Sequence, residues 1–409
     1  MQAYLIYACG FTLKSGAPKS KNRPGCISTQ DGREHIGVSY VSTPYGTPNS
    51  REGATGPRPT YSQDWRSYNL AQTREKEMVA TLLRDLCGAI ESPVQRRGRP
   101  RIPLADGVFV ACMKVYGGAS GRRTMTDMRE YEAQGLIDRA PHYNRVFEHL
   151  ENPALTPILK AMIEESARPL REIETDFAVD SSGFSSSVYR RWFDAKYGRE
   201  RTSGEYVKAH VMVGVTTNIV TSVEVTPASI SDYQIFSPLV ESTAARFDIA
   251  RISADKAYSG RSNLAAVDSI GALPFIPFRS NAKPTGASLW KRTYDFFQDN
   301  KEEFYRHYHK RSNVETTFSM IKAKFGARVR SKSPIAQTNE VLCKVLCHNL
   351  CCLVSAFYEL GIAPEFWGTG THALNYKQGD MWYRNLPART PWSGPRKNGK
   401  RLGGPSVPA

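Results

Sequence analysis

From residue 177 onward the apolar residues arrive in blocks of strand length interrupted by two blocks of helical length, and this order limits the fold more than any other property of the chain. Residues 177–180, 210–215 and 220–225 read as three Val-rich strands, the last two forming a hairpin. A helical stretch over 232–247 follows, then a strand at 249–254, a helix after Ser262 and a strand near 273–277. The order β-β-β-α-β-α-β, followed by two further helical stretches, predicts an α/β fold with one mixed sheet covered by helices. Two of the strand blocks close on an acid: Asp180 ends Asp176-Phe-Ala-Val-Asp180, and Asp255 ends Ile252-Ser-Ala-Asp255.

A third acid sits in a basic setting downstream, in Tyr308-His-Lys-Arg311-Ser-Asn-Val-Glu315, with Lys322 two turns further on. At 3.6 residues per turn, Tyr308, Arg311, Glu315 and Lys322 fall within roughly 60° of one helix face. If the strands ending at Asp180 and Asp255 are neighbours and this helix packs alongside, three carboxylates meet as hard oxygen ligands. Two Mg²⁺ ions about 3.5–4 Å apart, with Mn²⁺ as a substitute, then activate an attacking oxygen and stabilise a leaving oxygen in phosphodiester chemistry. Arg311, one turn before Glu315, is placed to grip a phosphate through two parallel hydrogen bonds. On a continuous helix Tyr308 and Lys322 lie about 21 Å apart, a span of several phosphates.

The charge balance agrees with such a partner. Of 409 residues, 55 are Lys or Arg against 39 Asp or Glu, a formal charge of +16, which points to a polyanion such as double-stranded DNA. Residues 1–64 carry little periodicity and many Gly, Pro, Ser and Thr, the composition of a flexible arm. Residues 65–170 are expected to form a helical DNA-binding domain: Met78, Val79, Leu82, Leu83 and Leu86 define one apolar face, and helices are expected over 104–116, 124–134, 143–151 and 157–167. Within it, Arg97-Gly-Arg99-Pro-Arg101 is the kind of short basic hook that enters an A·T-rich minor groove. Arg122 and Arg123, at the expected start of a helix, are further candidates for contacts to DNA ends. Residues 171–365 are the expected catalytic domain, and 366–409 a flexible basic tail. Trp290, in Ser288-Leu-Trp-Lys-Arg292, either stacks on an unpaired base or is structural.

No run of about 20 apolar residues is read in the sequence and the N-terminus lacks a basic leader, so a cytoplasmic, nucleoid-associated protein without a membrane span is expected. Eight cysteines are too few and too clustered for a disulfide framework. Cys343, Cys347 and Cys351, with His348 and Cys352 beside them, recur at zinc-like spacings, but the apolar helical pattern around them marks them as core side chains.

Residues 308–322 match, without a gap, the Tyr-x2-Arg-x3-Glu-x6-Lys signature of prokaryotic insertion-sequence DDE transposases. Asp180-Ser-Ser-Gly-Phe184 resembles that family's first acidic motif and Ala254-Asp-Lys-Ala-Tyr-Ser-Gly260 its second, so the likeness covers about residues 170–360. It implies a ribonuclease-H-like core, with Asp180, Asp255 and Glu315 as the metal-binding catalytic triad and Lys256, Tyr308, Arg311 and Lys322 near the DNA. It also implies binding of terminal inverted repeats, metal-dependent strand cleavage and strand transfer, carried out by a homodimer that joins two ends. Ala257 stands where many relatives have Gly, and residues 256–314 are too few for the β-rich insertion that supports a hairpin step in some relatives. Two rival readings stay open: a DNA-binding derivative that has lost catalysis, and a stand-alone nuclease of the same fold.

Overall fold

The computed structural model of the chain describes residues 64–92, 98, 101–186, 206–285 and 288–367. Arg97, Arg99, the N-terminal arm and the basic tail lie outside the described residues. Five helices come first: α1 (Trp65–Cys87), α2 (Leu104–Gly117), α3 (Met125–Ala133), α4 (Tyr143–Leu150) and α5 (Leu155–Ala167). The Asp64 carboxylate opens α1 by accepting the amides of Arg66 and Ser67 at 3.1 and 3.2 Å, and Gly118 ends α2 in the left-handed conformation that glycine adopts without steric cost. Arg122 and Arg123 are exposed in the turn three and two residues ahead of α3, not at a helix start as expected.

The sheet follows, with β1 (Asp176–Ser185), β2 (Tyr206–Gly214), β3 (Val220–Pro227), β4 (Arg251–Ala254) and β5 (Leu273–Phe275) in the spatial order β3-β2-β1-β4-β5. Strand β1 runs antiparallel to β2 and parallel to β4, as the expected mixed sheet of a ribonuclease-H-like core requires. Phe177, Ala178 and Val179 are all fully buried, without alternation, because β1 is central and both faces of the sheet are covered. Helix α6 (Asp232–Ala244) makes the crossover from β3 to β4, and α7 (Arg261–Ser269) the one from β4 to β5.

After the loop that follows β5, two helices lead to Tyr308, α8 (Ser288–Asp299) and α9 (Lys301–Tyr308), which the periodicity of the sequence did not announce. Its apolar residues are mostly aromatic and interleaved with charges. They pack as one ring cluster against β5, with Phe275, Phe297 and Phe304 at its centre. Between Asp255 and Glu315 the described residues contain one strand, the three-residue β5, and no β-rich insertion.

Two further helices are the last among the described residues, α10 (Ser312–Phe325) and α11 (Pro334–Leu360). The Ser333 hydroxyl caps α11 at Ala336, Pro334 fits the first turn, and Gly361 stops the helix in the left-handed region. By length and apolarity α11 passes the test for crossing a membrane, so the expectation that no such run exists needs correcting. Its most apolar stretch is 89% buried inside the protein, wrapped by α1, α2 and α5, which is the position of a core helix. Cys343, Cys347 and Cys352 pack in that core, where burial raises the Cys347 and Cys352 thiols far above their ordinary range. Lys344, also buried, donates to the carbonyls of Gly326 and Arg328, while Glu340 accepts the amides of Arg330 and Ser331. These bonds fasten the turn after α10 onto α11.

Candidate active site

The register between β1 and β4 pairs Val179 with Ala254, so Asp180 and Asp255, one residue further along each strand, emerge side by side. Strand β4 stops there, but β1 continues to Ser185 against β2, with Ser185 also bridging to Arg328 at its far end. The divergence opens a crevice at the carboxyl ends of parallel strands, where sheets of this kind bind ligands. Asp180 Oδ1 accepts its neighbour Ser181's amide at 2.8 Å, and Asp255 Oδ1 accepts the amide of Lys256 at 2.5 Å. Asp180 keeps its other oxygen, Oδ2, for Arg311.

Glu315 reaches this point from α10. Arg311 links β1 to α10: its Nη1 donates to Asp180 Oδ2 at 2.7 Å and its Nη2 to Glu315 Oε1 at 2.5 Å. Tyr308 lies beside the guanidinium, its ring centre 5.9 Å away. Lys322 extends the same side along β1, donating to Ser182 Oγ at 2.6 Å.

These residues do not share one regular α-helix, as the 3.6-residue spacing predicts. The chain tightens to a 3₁₀ turn at His309–Arg311 between α9 and α10. The cause is a set of side chains drawn to the sheet: Lys310 to Asp176 at 2.6 Å, Arg311 to Asp180, and Asn313 Nδ2 to the Val215 carbonyl at 2.7 Å. Three residues per turn instead of 3.6 rotate Tyr308 relative to α10, so its contact is with Arg311 and not with a common stripe.

The electrostatics are those of a crowded acid cluster. Burial raises the Asp180 carboxyl above its ordinary value; the Ser181 amide and Arg311 work against this, and the charges of Glu315 and Asp255 add to it. Burial lowers Lys322 from the usual lysine range. Glu315 is more than half exposed, with 58% of its side chain open to solvent, so it is free to change partners. The donor chemistry suits Mg²⁺, since all three groups offer hard carboxylate oxygens. Among the described residues, however, no three such side chains already form a metal-binding group. Arg311 occupies the place between Asp180 and Glu315.

Residues 172–350, a span that holds all three acids, match the family model for the transposase DDE domain. The chain carries a transposase DDE domain. No curated protein matches the chain. The transposase domain begins just ahead of β1 and ends within α11, so the sheet and α10 lie inside the match, and α1 to α5 lie outside it.

Other candidates take varied places around the transposase domain. Lys256 is exposed directly after Asp255. Trp290 donates its indole N–H to the Lys283 carbonyl at 2.8 Å and meets Phe278 edge-on at 4.8 Å, so it is held by the fold. Arg101 is exposed ahead of α2, and Arg122 lies over the Tyr143 ring at 4.9 Å, far along the chain from the acids. Sequence reasoning missed the supports of the site. Asp176 is bridged by Lys310 at 2.6 Å and Arg251 at 3.0 Å, which ties the 3₁₀ turn to the base of β1 and β4. Tyr258, one turn past Asp255, is buried against Phe236 with its hydroxyl unpartnered. The Tyr after Asp255 was visible in the sequence, but its burial depends on α6, which is distant along the chain.

Proposed function

We propose that this chain is an insertion-sequence transposase of the Tyr-Arg-Glu-Lys group, which binds the terminal inverted repeats of its element, cuts a strand at each end and joins the freed end to target DNA. The observation that carries the reading is the adjacency of Asp180 and Asp255 on neighbouring strands, with Arg311 linking Asp180 to Glu315. In hydrolysis, water attacks the scissile phosphorus and the P–O3′ bond breaks, leaving a 3′-hydroxyl and a 5′-phosphate. In strand transfer, that 3′-hydroxyl attacks a target phosphorus and displaces a target 3′-oxygen. Asp180, Asp255 and Glu315 would hold divalent ions, two Mg²⁺ or Mn²⁺ in this reading, which supply Lewis-acid activation when bound.

Arg311 and Tyr308 take the phosphate next to the cut. A phosphate is a better bidentate partner for the guanidinium than two separate carboxylates, so DNA draws Arg311 off the acids. Lys322 sits further along the strand, and a phosphate restores the charge that burial disfavours. Lys256 contacts the backbone beside Asp255. The helical region 65–170 binds the repeat, with Arg97, Arg99 and Arg101 in the minor groove and Arg122 and Arg123 on the duplex, and the basic tail adds salt-sensitive affinity. Two ends must be joined, which calls for a homodimer; the enzyme works in the cytoplasm on the nucleoid.

The test is cleavage of DNA carrying the element's flanking repeats, with Mg²⁺, by the wild type and Glu315→Gln at equal DNA occupancy. Gln keeps an acceptor for Arg311, so folding and binding are expected to persist while cutting falls by about a thousandfold or more. Binding by the wild type without any cutting would leave the non-catalytic reading in its place.

A further inference from the structure

Strand transfer brings a second DNA to the acids, and Tyr308, Arg311 and Lys322, proposed to hold the first one, lie on one flank, while Lys256 stands beside Asp255 at the boundary with the other. Helix α10 packs on β1 and β2, and Lys322 follows β1 away from Asp255. The opposite flank, beyond β4, is built by the turn after Asp255, the start of α7 and the loop that follows β5. There Lys256, Arg261, Arg279 and Lys283 are all exposed. Arg279 leans on the Ala257 carbonyl at 3.4 Å, two residues from Asp255, and Arg261 donates to the Thr285 carbonyl at 2.6 Å. Trp290 braces the group from below, with Arg261 5.6 Å from its ring centre and its indole bonded to the Lys283 carbonyl. Asp268 is the one acid in residues 256–285, and Arg292 pairs with it at 3.3 Å. Among the described residues none of the four cations is paired with a carboxylate.

We infer that this second basic surface holds the backbone of target duplex DNA, so that the acids lie between two DNA tracks, the transposon end along α10 and the target along the β5 side. The inference rests on the transposase reading. Long exposed cations without an ordered network among themselves suit phosphate contacts, which position a duplex without reading its sequence. Trp290 serves the surface as a brace for Arg261 and Lys283, and its N–H is spent within the protein.

The test uses the full-length protein with the triple substitution Arg261→Ala, Arg279→Ala and Lys283→Ala, assayed separately for end binding, end cleavage and transfer of a pre-cut end into plasmid. End binding and end cleavage are expected to stay within about twofold of wild type, while strand transfer falls tenfold or more and recovers at low salt. The dependence of transfer on log salt should flatten by up to about 2.7, the effect of three lost phosphate contacts. The double variant Arg261→Lys and Arg279→Lys, with Lys283 intact, is expected to transfer nearly as well as wild type. Unchanged transfer by the Ala variant overturns the inference, as does an equal loss of end cleavage in a variant with an unaltered melting temperature. A wild type that binds ends but never cuts them overturns the transposase reading, and this inference with it.

Discussion

Asp180→Asn is expected to remove end cleavage, by about a thousandfold or more, without lowering the melting temperature at pH 7. The first half follows from position. Asp180 stands where β1 and β4 part, beside Asp255, and contributes an oxygen to any ion held there; a neutral amide is a poor ligand for a hard cation. The second half follows from the sign of its pKa shift. Burial raises the carboxyl above its ordinary value of 3.8, so the folded state takes up a proton more readily than the unfolded chain. The group's contribution to stability therefore falls as pH rises from 3.8 through the raised value, and at pH 7 the ionised side chain is a burden to the fold. Asn escapes that burden, and any advantage of the variant should vanish below the ordinary carboxyl value. Thermal unfolding across pH measures this; a variant that melts several degrees lower at pH 7 would mean that Asp180 is a structural ion-pair residue.

The largest stability effect is expected at Asn349, fully buried in the middle of α11. Its Oδ1 accepts the Val220 amide at 2.9 Å, and its Nδ2 donates to the Val220 carbonyl at 2.7 Å and to Ser166 Oγ at 2.9 Å. One side chain thus stands in for a missing strand at the edge of the sheet and ties β3 to α5. Asn349→Ala strands those backbone groups in a dry core, each at about 1–3 kcal/mol, for an expected total of about 3–5 kcal/mol. Asn349→Asp should be worse, because it adds a buried charge facing the Val220 carbonyl. Urea denaturation gives the value directly, and a loss below about 1 kcal/mol would show that the site relaxes or admits water.

The strands of the transposase domain were legible because they are short Val- and Ile-rich blocks, and the two Asp residues stood out by closing such blocks. Their adjacency was legible only through element order, since β-β-β-α-β-α-β leaves few sheets that place both at one crevice. The break at His309–Arg311 could not be read from spacing. It is made by Asp176 and Asp180, more than a hundred residues upstream, pulling on Lys310 and Arg311. Helices α8 and α9 escaped for a different reason: Phe296 and Phe304 find their partner in Phe275 of β5 and Phe297 packs on Phe304, and a run of aromatics mixed with charges carries no clear helical period. The basic surface beside Asp255 was invisible for the same cause, because Arg261, Arg279 and Lys283 are scattered singly along the chain and meet only through the fold.

The central claim is that Asp180, Asp255 and Glu315 form one metal site when DNA is bound. Iron-directed cleavage of the polypeptide tests it: Fe²⁺ replaces Mg²⁺ in the end complex, peroxide and ascorbate generate hydroxyl radicals at the ion, and the fragments are mapped. Backbone cuts are expected in three clusters, around residues 180, 255 and 315, all suppressed together by excess Mg²⁺. Cuts confined to other segments, or cuts that Mg²⁺ leaves unchanged, would contradict it.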